Sequence, residues 1–197
     1  MASKNEILKP FGPTVLKSVI DDDIYELLLE AVEISIKNKA SPSQYLAGEF
    51  NAGSNKDLSF ATKEKFNKFL NWIKDKAADY GREINERHLT NMAGQLTLPI
   101  LWVNYQKAGD FNPIHTHSGL LSFIMYIKIP EYKNEQLYAG DINWRYGEQL
   151  PLVKNTLNIH PKERELYMFP AWLDHYVWPF VNSNDVRISV AGNLFLN

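Results

Sequence analysis

Three observations predict a mainly β fold with N-terminal helices. From about residue 96 onward the chain holds six apolar stretches rich in β-branched and aromatic residues, with turn chemistry between them. Short strands at this spacing argue for a sandwich or barrel, here two sheets packed as a jelly roll. The first half instead carries two stretches with the period of amphipathic helices. A chain of 197 residues without internal repeat or low-complexity linker is most simply one domain, residues 1–197. Within it, a helical part over about 1–90 packs on a β core over about 91–197.

The elements follow in order. Residues 7–20 mix short apolar runs with Pro10, Gly12 and Pro13, a strand-like lead-in. Asp21, Asp22 and Asp23 then open a helix, because carboxylates at a helix N-terminus suit both capping and the dipole. Ile24, Leu27, Leu28, Ala31 and Ile34 or Ser35 mark its buried face, and it should end near residues 37–40. Residues 41–61 are polar and glycine-bearing, with Tyr45 and Phe50 among them. So long a connection could act as a lid. A second helix over about 62–80 buries Phe66, Phe69, Leu70, Ile73 and Ala77. Strands are then expected at 96–105, 120–129, 141–146, 165–169, 176–181 and 186–196. Trp102, Trp144, Trp172 and Trp178 read as core or pocket wall, and His160 as a loop histidine.

Composition narrows the chemistry. Apolar residues at 45% and charged residues at 22% suit a soluble globular protein. A net charge of −2 gives no electrostatic case for binding nucleic acid or an anionic membrane. The absence of cysteine excludes disulfides, thiolate zinc sites, iron–sulfur clusters and a Cys nucleophile. Any metal must therefore be held by His, Asp, Glu or backbone oxygen. The first residues lack the apolar core of a signal peptide, and no run approaches the ~18 apolar residues of a membrane span. The cytoplasm is the default location.

The stretch that carries chemistry is Asn112-Pro113-Ile114-His115-Thr116-His117-Ser118-Gly119. If it is extended, His115 and His117 point the same way and form two corners of a metal site. His-x-His pairs also occur by chance on solvated surfaces, so the downstream context decides. His175, at the end of Phe169-Pro170-Ala171-Trp172-Leu173-Asp174-His175, supplies a third imidazole. Twelve residues later, Arg187 and Ser189 share a face if residues 186–190 form a strand. An Arg among β-branched residues is part-buried and needs an anion, either a protein carboxylate or a ligand carboxylate gripped by its planar fork.

This ordered set resembles the iron(II)- and 2-oxoglutarate-dependent oxygenases, and within them a subfamily with a His-x-His motif. Trp102 and Asn104, His115 and His117, Ser122 and Tyr126, the run from Phe169 to His175, Arg187 and Ser189, and Asn193 follow that subfamily's pattern. The resemblance covers roughly residues 95–197. It implies a double-stranded β-helix, a cupin-like jelly roll. It implies Fe(II) at a catalytic centre of His115, His117 and His175, in a compartment as reducing as the cytoplasm. The co-substrate 2-oxoglutarate would chelate the metal at one end and meet Arg187 at the other, with Ser189 and Tyr126 donating hydrogen bonds and Asn104 close by. Dioxygen and a small-molecule or peptidyl substrate complete the reaction, a hydroxylation releasing succinate and CO2.

The chain departs from the family at large at His117, where an acidic residue is usual. Either three histidines hold the metal, the reading favoured here, or His117 stands aside and a carboxylate enters, with Asp141 the candidate. Asp110 precedes the strand, and Asp174 would face away from His175. Three other readings compete. A cupin-type three-His iron dioxygenase would need no 2-oxoglutarate, and a zinc hydrolase would use the same imidazoles. A non-enzymatic β-sandwich binding module would use none of them. Aromatic residues on the N-terminal helices leave a homodimer open.

Overall fold

The computed structural model describes residues 6–8, 12–38, 55–84, 87–131, 138–181 and 183–196. Residues 39–54, most of the connection read as a lid, lie outside the described residues. Two short strands, β1 (Glu6–Leu8) and β2 (Val15–Val19), precede helix α1 (Asp22–Lys37). Strand β3 (Asn55–Asp57) leads into α2 (Lys63–Glu83), α3 (Arg87–Met92) and a 3-10 turn at Ala93–Gln95. The β half then runs through β4 (Leu96–Gln106), β5 (Asn112–His115), β6 (Leu121–Lys128), β7 (Ile142–Arg145) and β8 (Thr156–Ile159). It ends with β9 (Glu165–Pro170), β10 (Asp174–Val177) and β11 (Arg187–Leu196).

These strands form two antiparallel sheets. The larger has the order β1-β2-β9-β6-β11-β4-β3 and the smaller β5-β10-β7-β8. From β4 onward the chain switches between them, β4 in the large sheet, β5 in the small, β6 in the large, β7 and β8 in the small, and so on to β11. This winding wraps two facing sheets around a shared interior, as the sequence predicts.

The large sheet is buried on both faces, so its strands read as near-continuous apolar runs. On β6, Leu121, Phe123, Met125 and Ile127 face the helices, where they join Ile24, Leu28, Phe69 and Ile73 in one core. The alternate residues Ser122, Ile124 and Tyr126 face the interior between the sheets. There Tyr126, Trp144, Tyr167, Phe169 and Leu173 form a second core. Burying each large side chain contributes about 1.5–3 kcal/mol, so two cores stabilise this sheet from both sides.

Polar contacts fix the helices on it. Thr62 caps α2, its hydroxyl accepting from the Lys65 N–H at 3.2 Å. Asp21 stands at the N-cap of α1 but makes no side-chain cap bond. Its carboxylate instead accepts from Trp72 Nε1 at 2.8 Å, which ties α1 to α2. The Tyr25 hydroxyl donates to the Ile127 carbonyl at 2.7 Å and ties α1 to β6. Among the described residues no helix is long and apolar enough to cross a membrane.

Several expectations are corrected. The strand expected at 176–181 is β10, which begins earlier and holds His175 within it. It stops at Val177 because Pro179 has no N–H to offer the ladder. Strands β5 and β8 were not expected: each has four residues, and β5 contains a proline. Trp178 is 45% exposed and outside the core, while Trp172, 56% exposed, walls a surface pocket with Tyr80, Leu89 and Leu120. Trp102 and Trp144 are buried.

Gly192 sits where β11 crosses between β4 and β6. A Cβ there would lie 2.6 Å from Phe123 Cζ and 2.9 Å from the Ile100 carbonyl oxygen. The backbone oxygen cannot move aside without opening the ladder. Gly192→Ala is therefore expected to destabilise by about 1–3 kcal/mol, as overpacked cores do. Thermal unfolding checks this, and an unchanged Tm would contradict the close approach.

Candidate metal centre

Strand pairing brings the imidazoles together. His175 on β10 lies directly opposite His115 on β5, with Trp144 of β7 on its other side. His117 lies beyond the end of β5. Its position comes from the loop: its N–H donates to the Ala171 carbonyl at 2.9 Å, and the Ala171 N–H donates to Leu120 O at 3.1 Å. Gly119 makes that loop with φ +113°, a backbone state that side chains rarely adopt. Ring centroids are 4.2 Å apart for His115 and His175, 4.8 Å for His115 and His117, and 4.9 Å for His117 and His175.

Among the described residues these three histidines form the group that could hold a metal, their ligand atoms all within 4.8 Å of one another. The donor set fits such an ion. His115 Nδ1 is 2.7 Å from the Pro113 carbonyl and His175 Nδ1 is 2.9 Å from the Leu173 carbonyl. A carbonyl only accepts, so each Nδ1 carries the proton and each Nε2 keeps a lone pair for a metal. Each ring is thus aimed by the backbone two residues before it. Phe169 packs on His175 at 4.8 Å and Trp102 on His117 at 5.5 Å, which limits ring rotation.

Burial keeps the imidazoles neutral. It lowers all three pKa values: His117 falls to about 4, by burial first and then by repulsion from His115. His175 falls well below the usual range for the same reasons, and His115 is lowered by burial against its bond to Pro113. Neutral imidazole is the form that binds metal.

The carboxylates considered from the sequence are engaged elsewhere. Asp141 Oδ1 lies 2.9 Å from His160 Nδ1. Asp174 pairs with Arg145 at 3.1 Å, and Asp110 accepts from the Lys107 N–H. A narrow cavity of about 40 Å³ opens over the imidazoles, walled by Trp102, Asn104, Asn112 and Ser122. Asn104 stands between Trp102 Nε1, which donates to its Oδ1 at 3.1 Å, and Ser189 Oγ, 3.3 Å from its Nδ2. Ser189 on β11 pairs with Asn104 of β4 on one side and Tyr126 of β6 on the other. Ser122 donates to Asn193 Oδ1 at 2.8 Å.

Arg187 is fully buried one alternate position further along the same face of β11. It does not line the cavity over the histidines. Its Nε and Nη2 donate to Gln106 Oε1 at 2.9 and 2.5 Å, and Nη1 donates to the Gly140 carbonyl at 2.5 Å. Phe180 lies under the guanidinium, its ring 5.6 Å away.

Sequence reasoning missed two residues. Asn112 Nδ2 is 3.4 Å from His115 Nε2, and its Oδ1 is buried without a hydrogen-bond partner among the described residues. Nothing in the local pattern marks it. Gln106 could have been found, because it continues the alternation Trp102, Asn104, Gln106 along one face of β4.

Two facing sheets with imidazoles converging at a cavity between them form a double-stranded β-helix with a group that could hold a metal. Residues 100–193 match the family described as "Putative 2OG-Fe(II) oxygenase", a span that holds all three histidines and Arg187. Over that span the chain is similar to the 2OG-Fe(II) oxygenases. Solved structures share the fold. A prolyl-4-hydroxylase from Pseudomonas putida superposes with TM-score 0.59 at 12% identity, over 93% of this chain and 92% of that one. A prolyl hydroxylase from Trichoplax adhaerens, in complex with a hypoxia inducible factor oxygen degradation domain peptide fragment, gives 0.57 at 14% identity, over 93% and 83%. The viral collagen prolyl hydroxylase of Paramecium Bursaria Chlorella virus-1, in its 2OG complex, gives 0.54 at 15% identity, over 91% and 94%. No curated protein matches the sequence.

The depressed imidazole pKa values carry a sign. The unfolded chain takes up protons on these side chains below about pH 6.5, while His117 in the folded chain resists them until about 4. The metal-free protein is therefore most stable on this account above pH 6.5 and loses stability as the pH falls through that window. At pH 5, His117 alone is expected to cost about 2 kcal/mol. Metal-free wild type should lose more Tm between pH 7 and pH 5 than His117→Gln. Equal losses would place the imidazole in solvent.

Proposed function

We propose that this chain is a 2OG-Fe(II) oxygenase in which His115, His117 and His175 together hold the Fe(II) and Arg187 holds the far carboxylate of 2-oxoglutarate. The observation that carries the reading is the convergence of three neutral imidazoles, two with their Nδ1 committed to backbone. Fe(II) with 2-oxoglutarate and dioxygen supplies the oxidising chemistry, a decarboxylation to succinate and CO2 coupled to substrate hydroxylation.

The residues of the chain bind, orient and shield. The backbone carbonyls of Pro113 and Leu173 keep His115 and His175 in one tautomer. Trp102 and Phe169 wall the imidazoles from water. Asn104 and Ser189 form a polar row between the metal end and Arg187, with Tyr126 beside Ser189 on the next strand. Arg187 supplies a permanent charge in a fork geometry, which a buried carboxylate needs and Lys would not match. His117 replaces an anionic ligand, so the dianionic co-substrate carries the charge compensation of the metal.

The substrate is a small molecule or a peptide side chain. The peptide bound by the Trichoplax neighbour supports the second. The cytoplasm, a reducing compartment, suits a ferrous centre.

Arg187→Ala is expected to leave Fe(II) binding nearly intact and to weaken 2-oxoglutarate binding. Losing a charge-assisted bidentate contact costs on the order of 2–5 kcal/mol, or roughly thirty- to several-thousand-fold in affinity. Anaerobic titration of the Fe(II) protein measures this. Equal binding by wild type and variant would remove Arg187 from the site and leave it a structural role.

A further inference from the structure

Gln106 is 3% exposed and sits directly across the strand pair from Arg187. Its Oε1 accepts from two nitrogens of the guanidinium, at 2.9 and 2.5 Å. A guanidinium has donors and no acceptor, so the carboxamide must turn its oxygen toward Arg187 and its NH2 away. That Nε2 is buried with no hydrogen-bond partner among the described residues. Buried amide donors are rarely left so. Donors beside a buried cation are best met by an anionic oxygen.

The strand sets the scale. Gln106 lies two residues beyond Asn104, about 6.8 Å along β4, and Asn104 walls the cavity over the histidines. A five-carbon diacid held at its other end near the imidazoles spans such a distance. We infer that Gln106 is a specificity-determining residue for the co-substrate: its Oε1 fixes the fork of Arg187 and its Nε2 donates to the far carboxylate of 2-oxoglutarate. This rests on the reading of Arg187 as the anchor of that carboxylate.

The test compares 2-oxoglutarate with 2-oxopentanoate, which keeps the chelating end and ends in a methyl group. Wild type, Gln106→Met and Gln106→Glu are loaded with Fe(II) without oxygen and titrated calorimetrically with each. Wild type should prefer 2-oxoglutarate. In Gln106→Met that preference should fall about ten- to a hundredfold, the loss of a hydrogen bond to a charged group, while 2-oxopentanoate binds as before. Gln106→Glu should lose more, since its carboxylate neutralises Arg187 and repels the ligand. A preference unchanged in Gln106→Met overturns the inference whatever Gln106→Glu does, because charge alone would then explain the second variant. A loss shared equally by both ligands marks a structural role and also overturns it. Should Gln106→Met fail to bind Fe(II), the neutral Gln106→Leu takes its place, an unchanged preference again overturning the inference. A wild type without preference overturns the Arg187 reading itself, and the inference with it.

Discussion

The alternation of side chains along β4, β6 and β11 is the constraint on which the site depends. One set of positions packs on the helices, with Phe123, Met125, Val103 and Val190 in the same core. The other set turns inward, and there the three strands carry Asn104, Gln106, Ser122, Tyr126, Arg187, Ser189 and Asn193. A slip of one residue would send this polar set into the helical core and the apolar set into the cavity. The apolar face therefore fixes the register, and the register delivers the polar rows. Burying Arg187 and Gln106 is tolerated because hydrogen bonds go with them. The helices, remote from the imidazoles, act on the site by holding the sheet in that register.

The small sheet contributes differently. Its strands are short, and its histidines are aimed by local backbone rather than by a broad core. His115 and His175 each bond to the carbonyl two residues earlier, and cross-strand pairing sets them side by side. His117 has no such bond; the turn through Gly119 and the N–H to Ala171 place it. Two imidazoles are thus rigidly oriented, and the third is carried by a loop pinned at both ends.

Much of this was legible in the sequence because it rests on period and spacing. Amphipathic stripes marked α1 and α2, and the apolar runs marked β4, β6, β9 and β11. The His-x-His pair, the distal His and Arg187 were visible as an ordered set. Apart from Gln106, which continues the alternation of β4, what escaped had no local signal. Strand β5 is four residues with a proline, and it exists because β10 pairs with it. The surface placement of Trp172, in the turn between β9 and β10, and of Trp178, just after β10, is not marked by their hydrophobicity. The roles of Asp21 and Gln106 are settled by partners far away in sequence, Trp72 and Arg187.

The exchange of an acid for His117 has a consequence for charge. On the proposed assignment three neutral imidazoles leave the full charge of Fe(II) in a site where burial has already removed water. A carboxylate bound at the metal end would offset part of that charge, a task that an acidic side chain at position 117 would otherwise share. On that assignment the affinity for the ion would depend on the charge of the co-substrate more than it would in a site with an acidic ligand.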